Sequence, residues 1–342
     1  MKSRTPILWL FATLALTTVC PAQTGEPYRF LHEIAVGGDG GWDYISVDPA
    51  LHRLYVSHAT KVVVIDTQTD QVVGEIADTP GIHGIAVASK LGRTFTSNGR
   101  EDRVGIIDGP TLKTLAKVAT GPNPDAILFE PSREEVYAFN GRGRNATVIT
   151  ASTGQVVATI PLGGKPEFAQ ADPAAHRVFV NIEDKNEVAV IDTQTHAVTA
   201  RWPIAPGEEA TGMDIDLAHH RLFLGCSNAR MVVLDSTDGH VVGSLPAGQG
   251  IDAAAFDPGT QLVFTPNGRD GTVTVVHEDT PDRLTVVQTL KTERSARTIA
   301  VDPVTHKLYL PSARFEAPVP GSKERPKIVA GSFKVLVYEL NR

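Results

Sequence analysis

A short strand centred on an aromatic residue recurs along the chain, and its period limits the possible folds more than any other feature. The copies are Leu54-Tyr55-Val56, Thr94-Phe95-Thr96, Val136-Tyr137-Ala138, Val178-Phe179-Val180, Leu222-Phe223-Leu224, Val263-Phe264-Thr265 and Leu308-Tyr309-Leu310. Successive aromatics lie 40, 42, 42, 44, 41 and 45 residues apart. A period in this range marks a repeat architecture in which each unit buries its apolar face against the next.

Each unit has the same internal grammar. In the first, an alternating strand, Tyr44-Ile45-Ser46-Val47, ends at an Asp48-Pro49 turn and leads into the aromatic strand. A β-branched strand, Lys61-Val62-Val63-Val64-Ile65-Asp66, then a polar Thr67-Gln68-Thr69-Asp70 hairpin and a fourth strand, Gln71-Val72-Val73-Gly74-Glu75-Ile76, complete it. Four short antiparallel strands per unit, seven times over, predict an all-β fold, a seven-bladed β-propeller. A (β/α)8 barrel would need a helix in every unit, and these units have no room for one. The last unit ends one strand short, with Phe333-Lys334-Val335-Leu336-Val337-Tyr338 as its third strand. Residues 29–36 have the pattern of the missing fourth strand. The expectation is a seventh blade built from both termini, which closes the ring and leaves no inter-blade surface to cap.

The first residues are set aside from the fold. Lys2 and Arg4 precede an apolar run from Pro6 to Val19, followed by the small residues Cys20-Pro21-Ala22. This is the pattern of a secretory signal peptide. The expected organisation is a signal peptide over 1–22, a short arm over 23–28 and one propeller domain over 29–342. The expected location is periplasmic or secreted, with no transmembrane segment in the mature chain. Cys20 could also be read as a lipid-anchor cysteine, but Thr17-Thr18-Val19 supplies no leucine and puts a bulky residue before it, which argues against an anchored form. Removing 1–22 leaves Cys226 as the sole cysteine and excludes an intramolecular disulfide. The whole chain carries 32 Lys and Arg against 39 Asp and Glu, a formal charge of −7. An acidic chain without consecutive basic or aromatic runs gives no strong nucleic-acid signal.

Leu54-Tyr55-Val56-Ser57 with Val62-Val63-Val64-Ile65-Asp66-Thr67, and Val178-Phe179-Val180-Asn181 with Val188-Ala189-Val190-Ile191-Asp192-Thr193, resemble the bacterial YVTN-type β-propeller repeat proteins. The resemblance covers residues 29–342 and weakens in blades two and seven. It implies the propeller fold and an exported scaffold. It carries no catalytic motif that transfers residue by residue, so function has to be argued from the site.

Aligning the units gathers polar residues at one end of the central channel. The mouth-side positions of the inner strands are Asp43, His83, Asp125, Glu167, Thr211, Asp252 and Arg297, and the second strands end at His58, Asn98, Asn140, Ile182, Cys226, Asn267 and Ser312. Two concentric, mostly polar rings are therefore expected around one mouth. Four acids with His83 and Arg297 cannot crowd a narrow opening without water, a partner or a ligand. A wet channel with turn-capping aspartates is the plainer alternative. His58 and His83 depart from the turn pattern of His52, His176, His196, His220, His240 and His306, which reads as solvent-facing. Beside carboxylates, His58 and His83 could exchange a proton or bind a divalent metal, with Glu167 as third ligand.

Three Asn-Gly-Arg triplets add Asn98 with Arg100, Asn140 with Arg142 and Asn267 with Arg269. The Asn-Gly pairs suit tight turns, while the arginines, with Arg297 and Arg314, could clamp a carboxylate or phosphate. The Gly37–Gly41 stretch reads as a flexible approach to Trp42, which is either a stacking surface or a packed cap. Residues 315–327 interrupt blade seven on the mouth side, as a lid, a partner contact or a simple insertion. Cys226 reads as a packing or rim residue. The expected function is an exported binding or scaffold module that takes a small polar or anionic molecule, or a protein partner, at the mouth. The alternative is a hydrolase or lyase, metal-assisted or not, that uses Asp43, His58, His83, Asp125, Glu167 and Arg297, with Trp42, Asp252 and the Asn and Arg residues above in contact with ligand. No specific cofactor is implied.

Overall fold

The computed structural model describes residues 25–317 and 326–341. The expected signal peptide over 1–22 and the centre of the 315–327 segment lie outside the described residues. Seven four-stranded antiparallel sheets form the ring. Blade one comprises Ile45–Asp48, Arg53–His58, Lys61–Asp66 and Gln71–Ile76, ordered from the channel outward. Blades two to six repeat this order from inner strands Ile82–Ala88, Pro124–Glu130, Pro166–Asp172, Ala210–Asp216 and Ala255–Asp257.

Blade seven takes Ala300–Val301, Leu308–Ser312 and Lys334–Leu340 from the C-terminal end, and Tyr28–Ala35 from the N-terminal end as its outer strand. The register runs from Tyr28 opposite Leu340 to Ala35 opposite Lys334, with a bulge between Phe30 and His32. Lys334 Nζ ties the closure, reaching Glu33 at 2.6 Å and Glu293 of blade six at 2.8 Å.

The recurring aromatics are the seats between blades. All seven are fully buried. Tyr55 packs with Ile82 and Ile85 of blade two, Phe95 with Val136 and Ala138 of blade three, and Tyr137 with Val178 and Val180 of blade four. Phe179 packs with Leu222 and Leu224, Phe223 with Phe256 and Val263, Phe264 with Leu308 and Leu310, and Tyr309 returns to Leu54 and Val56 of blade one. Each such side chain contributes about 1.5–3 kcal/mol by leaving water. The 40 to 45-residue period is therefore the spacing of one side chain per inter-blade gap.

Four inner strands break register at their mouth ends. The breaks fall between Ile82 and Ile85, Pro124 and Ile127, Pro166 and Ala169, and Ala210 and Gly212. A β-bulge turns a side chain away from the ordinary pleat. The residues so displaced are His83, Asp125, Glu167 and Thr211, all at the channel mouth.

The closure can be tested by truncation. A chain starting at residue 28 keeps the outer strand of blade seven, and one starting at residue 37 loses it together with the burial of Tyr28 and Ile34. The shorter chain is expected to lose at least about 3–6 kcal/mol, counting those two side chains alone. Coincident denaturant unfolding curves for the two chains would refute closure by the N-terminal strand.

Candidate functional site

The mouth is built on those bulges and on the three inner strands that begin late. In blade one the Asp43 amide donates to Ser57 Oγ at 2.8 Å, and Thr298 Oγ1 donates to the Asp43 carbonyl at 2.8 Å. Asp43 is thereby held from both blade one and blade seven. His83 Nδ1 donates to Asp43 Oδ2 at 2.7 Å and lies 3.4 Å from Asp125 Oδ1. Arg297 Nε donates to Asp252 Oδ2 at 2.5 Å, and its Nη2 donates to the Trp42 carbonyl at 2.8 Å and lies 3.6 Å from Asp43 Oδ1. Lys165 Nζ stands 3.2 Å from Glu167 Oε2 and also pairs with Glu183. Thr211 turns its hydroxyl to the Ile251 carbonyl.

Tyr44 sets the floor. It crosses the lumen from blade one, meets Phe168 of blade four edge-on with ring centres 5.1 Å apart, and donates its hydroxyl to Glu167 Oε1 at 3.3 Å. Beneath the acids it leaves a cavity of about 50 Å³ lined by Ile45, Ile85, Ala126, Ile127 and Ala169. The mouth is thus a polar cup floored by Tyr44 and Phe168. Tyr44, Lys165 and Glu183 were not singled out from the sequence. The available signal for Tyr44 was its size beside Gly84, Ala126, Gly212 and Ala253, the small residues that follow the mouth positions of other blades.

Five carboxylates, counting Glu183, face three basic groups, and the imbalance shows in their proton affinities. Burial pushes Asp125 up to about 7, with the field of Asp43 adding to it and that of His83 opposing it. Burial and the neighbouring Asp125 push Glu167 up to about 8 against the pull of Lys165. Asp252 is raised by burial despite Arg297. For His83, burial opposes the charged ring, but the Asp43 hydrogen bond and the fields of Asp125, Asp43 and Glu167 outweigh it and raise the imidazole to about 9. At neutral pH the cup therefore holds a protonated His83 and protons shared between Asp125 and Glu167.

The second ring is not a polar mouth. His58, Asn98, Asn140, Ile182, Cys226, Asn267 and Ser312 are all buried. His58 stacks flat on Phe333 with centroids 4.2 Å apart, and burial lowers its pKa, so the ring stays neutral. The glycine stretch is a fitted cover rather than a loose approach. Gly38 has φ +81°, and a Cβ there would lie 2.9 Å from His58 Nε2. His58 consequently belongs to the packing between blades one and seven. The donor set that does converge is Asp43, His83 and Asp125, whose ligand atoms lie within 4.8 Å of one another. The expected trio of His58, His83 and Glu167 is replaced by this one, because the bulge aims His83 across the mouth while Gly38 seals His58 beneath it.

The asparagines are also committed to structure. Asn140 Nδ2 donates to Asn145 Oδ1 and Thr147 Oγ1, Asn267 Nδ2 to Thr272 Oγ1 and Thr274 Oγ1, and Asn98 Nδ2 to Glu101 Oε1. Each binds its own hairpin and offers no amide to a ligand. Arg100, Arg142, Arg269 and Arg314 are exposed. Arg100, Arg142 and Arg269 enter no ion pair among the described residues. Trp42 is a packed cap, 5.2 Å from Phe333 and 6.2 Å from Phe315, with the Arg297 guanidinium 5.5 Å over its ring. Cys226 is buried, and burial pushes its thiol up to about 12, which leaves no reactive thiolate. Two of the turn histidines do more than face solvent: His196 Nε2 pairs with the buried Glu135 at 2.9 Å and His306 Nδ1 with the buried Asp257 at 2.7 Å.

The raised carboxyl values fix a sign. Asp125 and Glu167 hold protons in the fold above their unfolded values of about 4, so the stability they contribute is full below about pH 4 and falls as pH rises through 7 and 8. His83 acts in the same direction from about 6.5 to 9. Thermal stability is expected to decline between pH 5 and 9, and E167Q to flatten the decline by on the order of 2 kcal/mol. A profile for E167Q that parallels the parent would show that Glu167 carries no such proton.

No protein-family model matches the chain, and no curated protein matches it. Solved structures do. The chain is similar to Kuenenia stuttgartiensis hydrazine synthase, with 16% identity, TM-score 0.71, and 80% of this chain and 92% of that one covered. It is similar to U3-55K at 10% identity, TM-score 0.75, with 91% and 98% covered. It also matches a chain of the mitotic checkpoint complex at 12% identity and TM-score 0.74, with both chains fully covered. At these identities the likeness is one of fold, and it agrees with the seven-bladed propeller read from the repeat period.

Proposed function

We propose that this propeller is an exported binding module whose channel mouth takes a small polar ligand bearing positive charge. One observation carries the reading. The cup holds an excess of carboxylates, and each basic side chain within it, His83, Arg297 and Lys165, is already paired with an acid. An anionic ligand would have to break those pairs and face the remaining acids. A cation would instead take the place of the stored protons on Asp125 and Glu167. Export is supported by the basic, apolar and small-residue succession of residues 1–22, and kinship with YVTN-type propellers by the aromatic repeat.

Isothermal titration with a small diamine and with inorganic phosphate, each at pH 7 in two buffers of unlike ionisation enthalpy, tests this. The diamine is expected to bind with proton release, and D125N to weaken it at least tenfold. Binding of phosphate with proton uptake, lost in R297A, would replace this reading with the anionic one.

A second reading has its own support in the convergence of Asp43, His83 and Asp125. Two carboxylates and an imidazole with a solvent-facing side fit a divalent ion of the zinc type, which would supply Lewis acidity at the mouth. Around it, Glu167, held by the Tyr44 hydroxyl, is the carboxyl group placed to exchange a proton with a leaving group. A hydrolase of this kind would be slowed by chelator and by H83A, and at least about a hundredfold by E167Q. Turnover of an ester or phosphoester panel that is indifferent to all three would rule it out.

A further inference from the structure

The repeat supplies its own reference for the face opposite the mouth. The inner strands of blades one, three, four, five, six and seven end in or at a turn acid: Asp48, Glu130, Asp172, Asp216, Asp257 and Asp302. In blades one and four, one oxygen of this acid accepts the next turn amides, as Asp48 Oδ1 does from Ala50 and Leu51 and Asp172 Oδ1 from Ala174 and Ala175. Asp216 Oδ1 does likewise from Ala218 at 2.8 Å and His219 at 3.4 Å. Its other oxygen accepts from His219 Nδ1 at 2.6 Å.

A second repeated position lies just past the third strand, where a backbone amide donates to the turn carbonyl of the same blade. The residues there are Thr67, Gly109, Ala151, Thr193 and Ser236 in blades one to five, all small. In blade six the same bond is made by Glu278, whose amide donates to the Gln261 carbonyl. A carboxylate thus occupies a place that elsewhere holds a hydroxyl, a methyl or nothing. Its side chain is 1% exposed, neither of its oxygens accepts a hydrogen bond from an N–H or O–H donor among the described residues, and it lies against the Asp216 carboxyl, a second acceptor unless one of the two is protonated. Two facing buried carboxyl groups cannot both stay ionised unless a cation lies between them, and without one they must hold a proton. Arg221, whose charge acts on Glu278, is engaged with Asp235 at 2.6 Å and Asp282 at 2.7 Å.

What Glu278 faces is the Asp216–His219 pair of blade five. Glu278 Oε2 lies 3.9 Å from His219 Nδ1, and one donor atom from each of the three residues falls within a 4.8 Å set. We propose that Asp216, His219 and Glu278 form a divalent-metal site of the zinc class that staples blade five to blade six on the face opposite the mouth. Two carboxylates and one imidazole are a donor set that such ions accept, and the imidazole disfavours calcium and magnesium. The ion takes the place of the His219 Nδ1 proton, which passes to solvent or to Nε2 of the same ring, any proton held by Glu278 is released, and Asp216 Oδ2 moves off its hydrogen bond to become a ligand. His219 is 41% exposed, so the ion enters and keeps a water on that side. Burial, helped by Asp216, pushes Glu278 up to about 7, so without a cation it holds a proton for part of the neutral range.

The test uses the full chain carrying H83A, which disables the donor set at the mouth, stripped of metal and titrated with Zn2+ at pH 7.5 with Mg2+ and Ca2+ as comparisons. One Zn2+ is expected to bind and to raise the melting temperature. Adding E278Q, which keeps the shape of the buried side chain, or H219A, which alters an exposed one, should weaken binding at least tenfold and abolish the rise. Zn2+ titrations of the double variants that match the H83A chain would overturn the site. So would a failure of the H83A chain to bind Zn2+, because Glu278 would then be a carboxyl sharing a proton with Asp216 and nothing more.

Discussion

Everything in this molecule depends on one contact repeated seven times, an aromatic side chain on the second strand of each blade seated in the apolar face of the next. Because the contact always points to the following blade, it has no natural end until the seventh aromatic, Tyr309, meets Leu54 and Val56 of the first. The two termini are drawn together by that requirement. Tyr28–Ala35 supplies the strand that the C-terminal unit lacks, and Lys334 crosses to Glu33 and Glu293 at the seam. The same seam stacks Trp42, Phe333 and His58, which is why residues that look available for chemistry in the sequence are committed to closing the ring.

Closing the ring also creates the electrostatic problem at its centre. Inner strands from seven blades converge on one opening, and bulges in blades two to five turn His83, Asp125, Glu167 and Thr211 toward it or its wall. Tyr44 plugs the lumen beneath and keeps the acids out of bulk water on that side. The carboxylates answer in two ways, by pairing with His83, Arg297 and Lys165 and by retaining protons near neutral pH. That shared protonation is a property of the assembled ring that no blade has alone.

The opposite face shows the same logic on a smaller scale. A repeat makes departures visible, since five units act as controls for the sixth. Glu278 stands where its counterparts are threonine, glycine, alanine and serine, and its carboxyl group faces Asp216 and His219. The sequence carries no sign of it, because the equivalence rests on a shared backbone hydrogen bond to the turn, and blade six reaches that position through a longer third strand, Thr272–Thr280, than its neighbours have.

The repeat period alone determined the blade number, the strand order within a blade and the circular pairing of the ends, because hydrophobic alternation and turn residues are local signals that seven copies reinforce. It also placed the ends of the second strands at His58, Asn98, Asn140, Ile182, Cys226, Asn267 and Ser312, and the mouth acids at Asp43, Asp125, Glu167 and Asp252. Which of these polar groups reach the opening was decided only in three dimensions. A bulge of one residue turns a side chain from wall to mouth, and the close approach of Gly38 buries His58, yet neither leaves a periodic trace. The hydroxyl of Tyr44, the pairing of Lys165 with Glu167 and Glu183, and the facing of Glu278 toward Asp216 join residues from different blades. Their energies depend on distance through the folded ring rather than on separation along the chain.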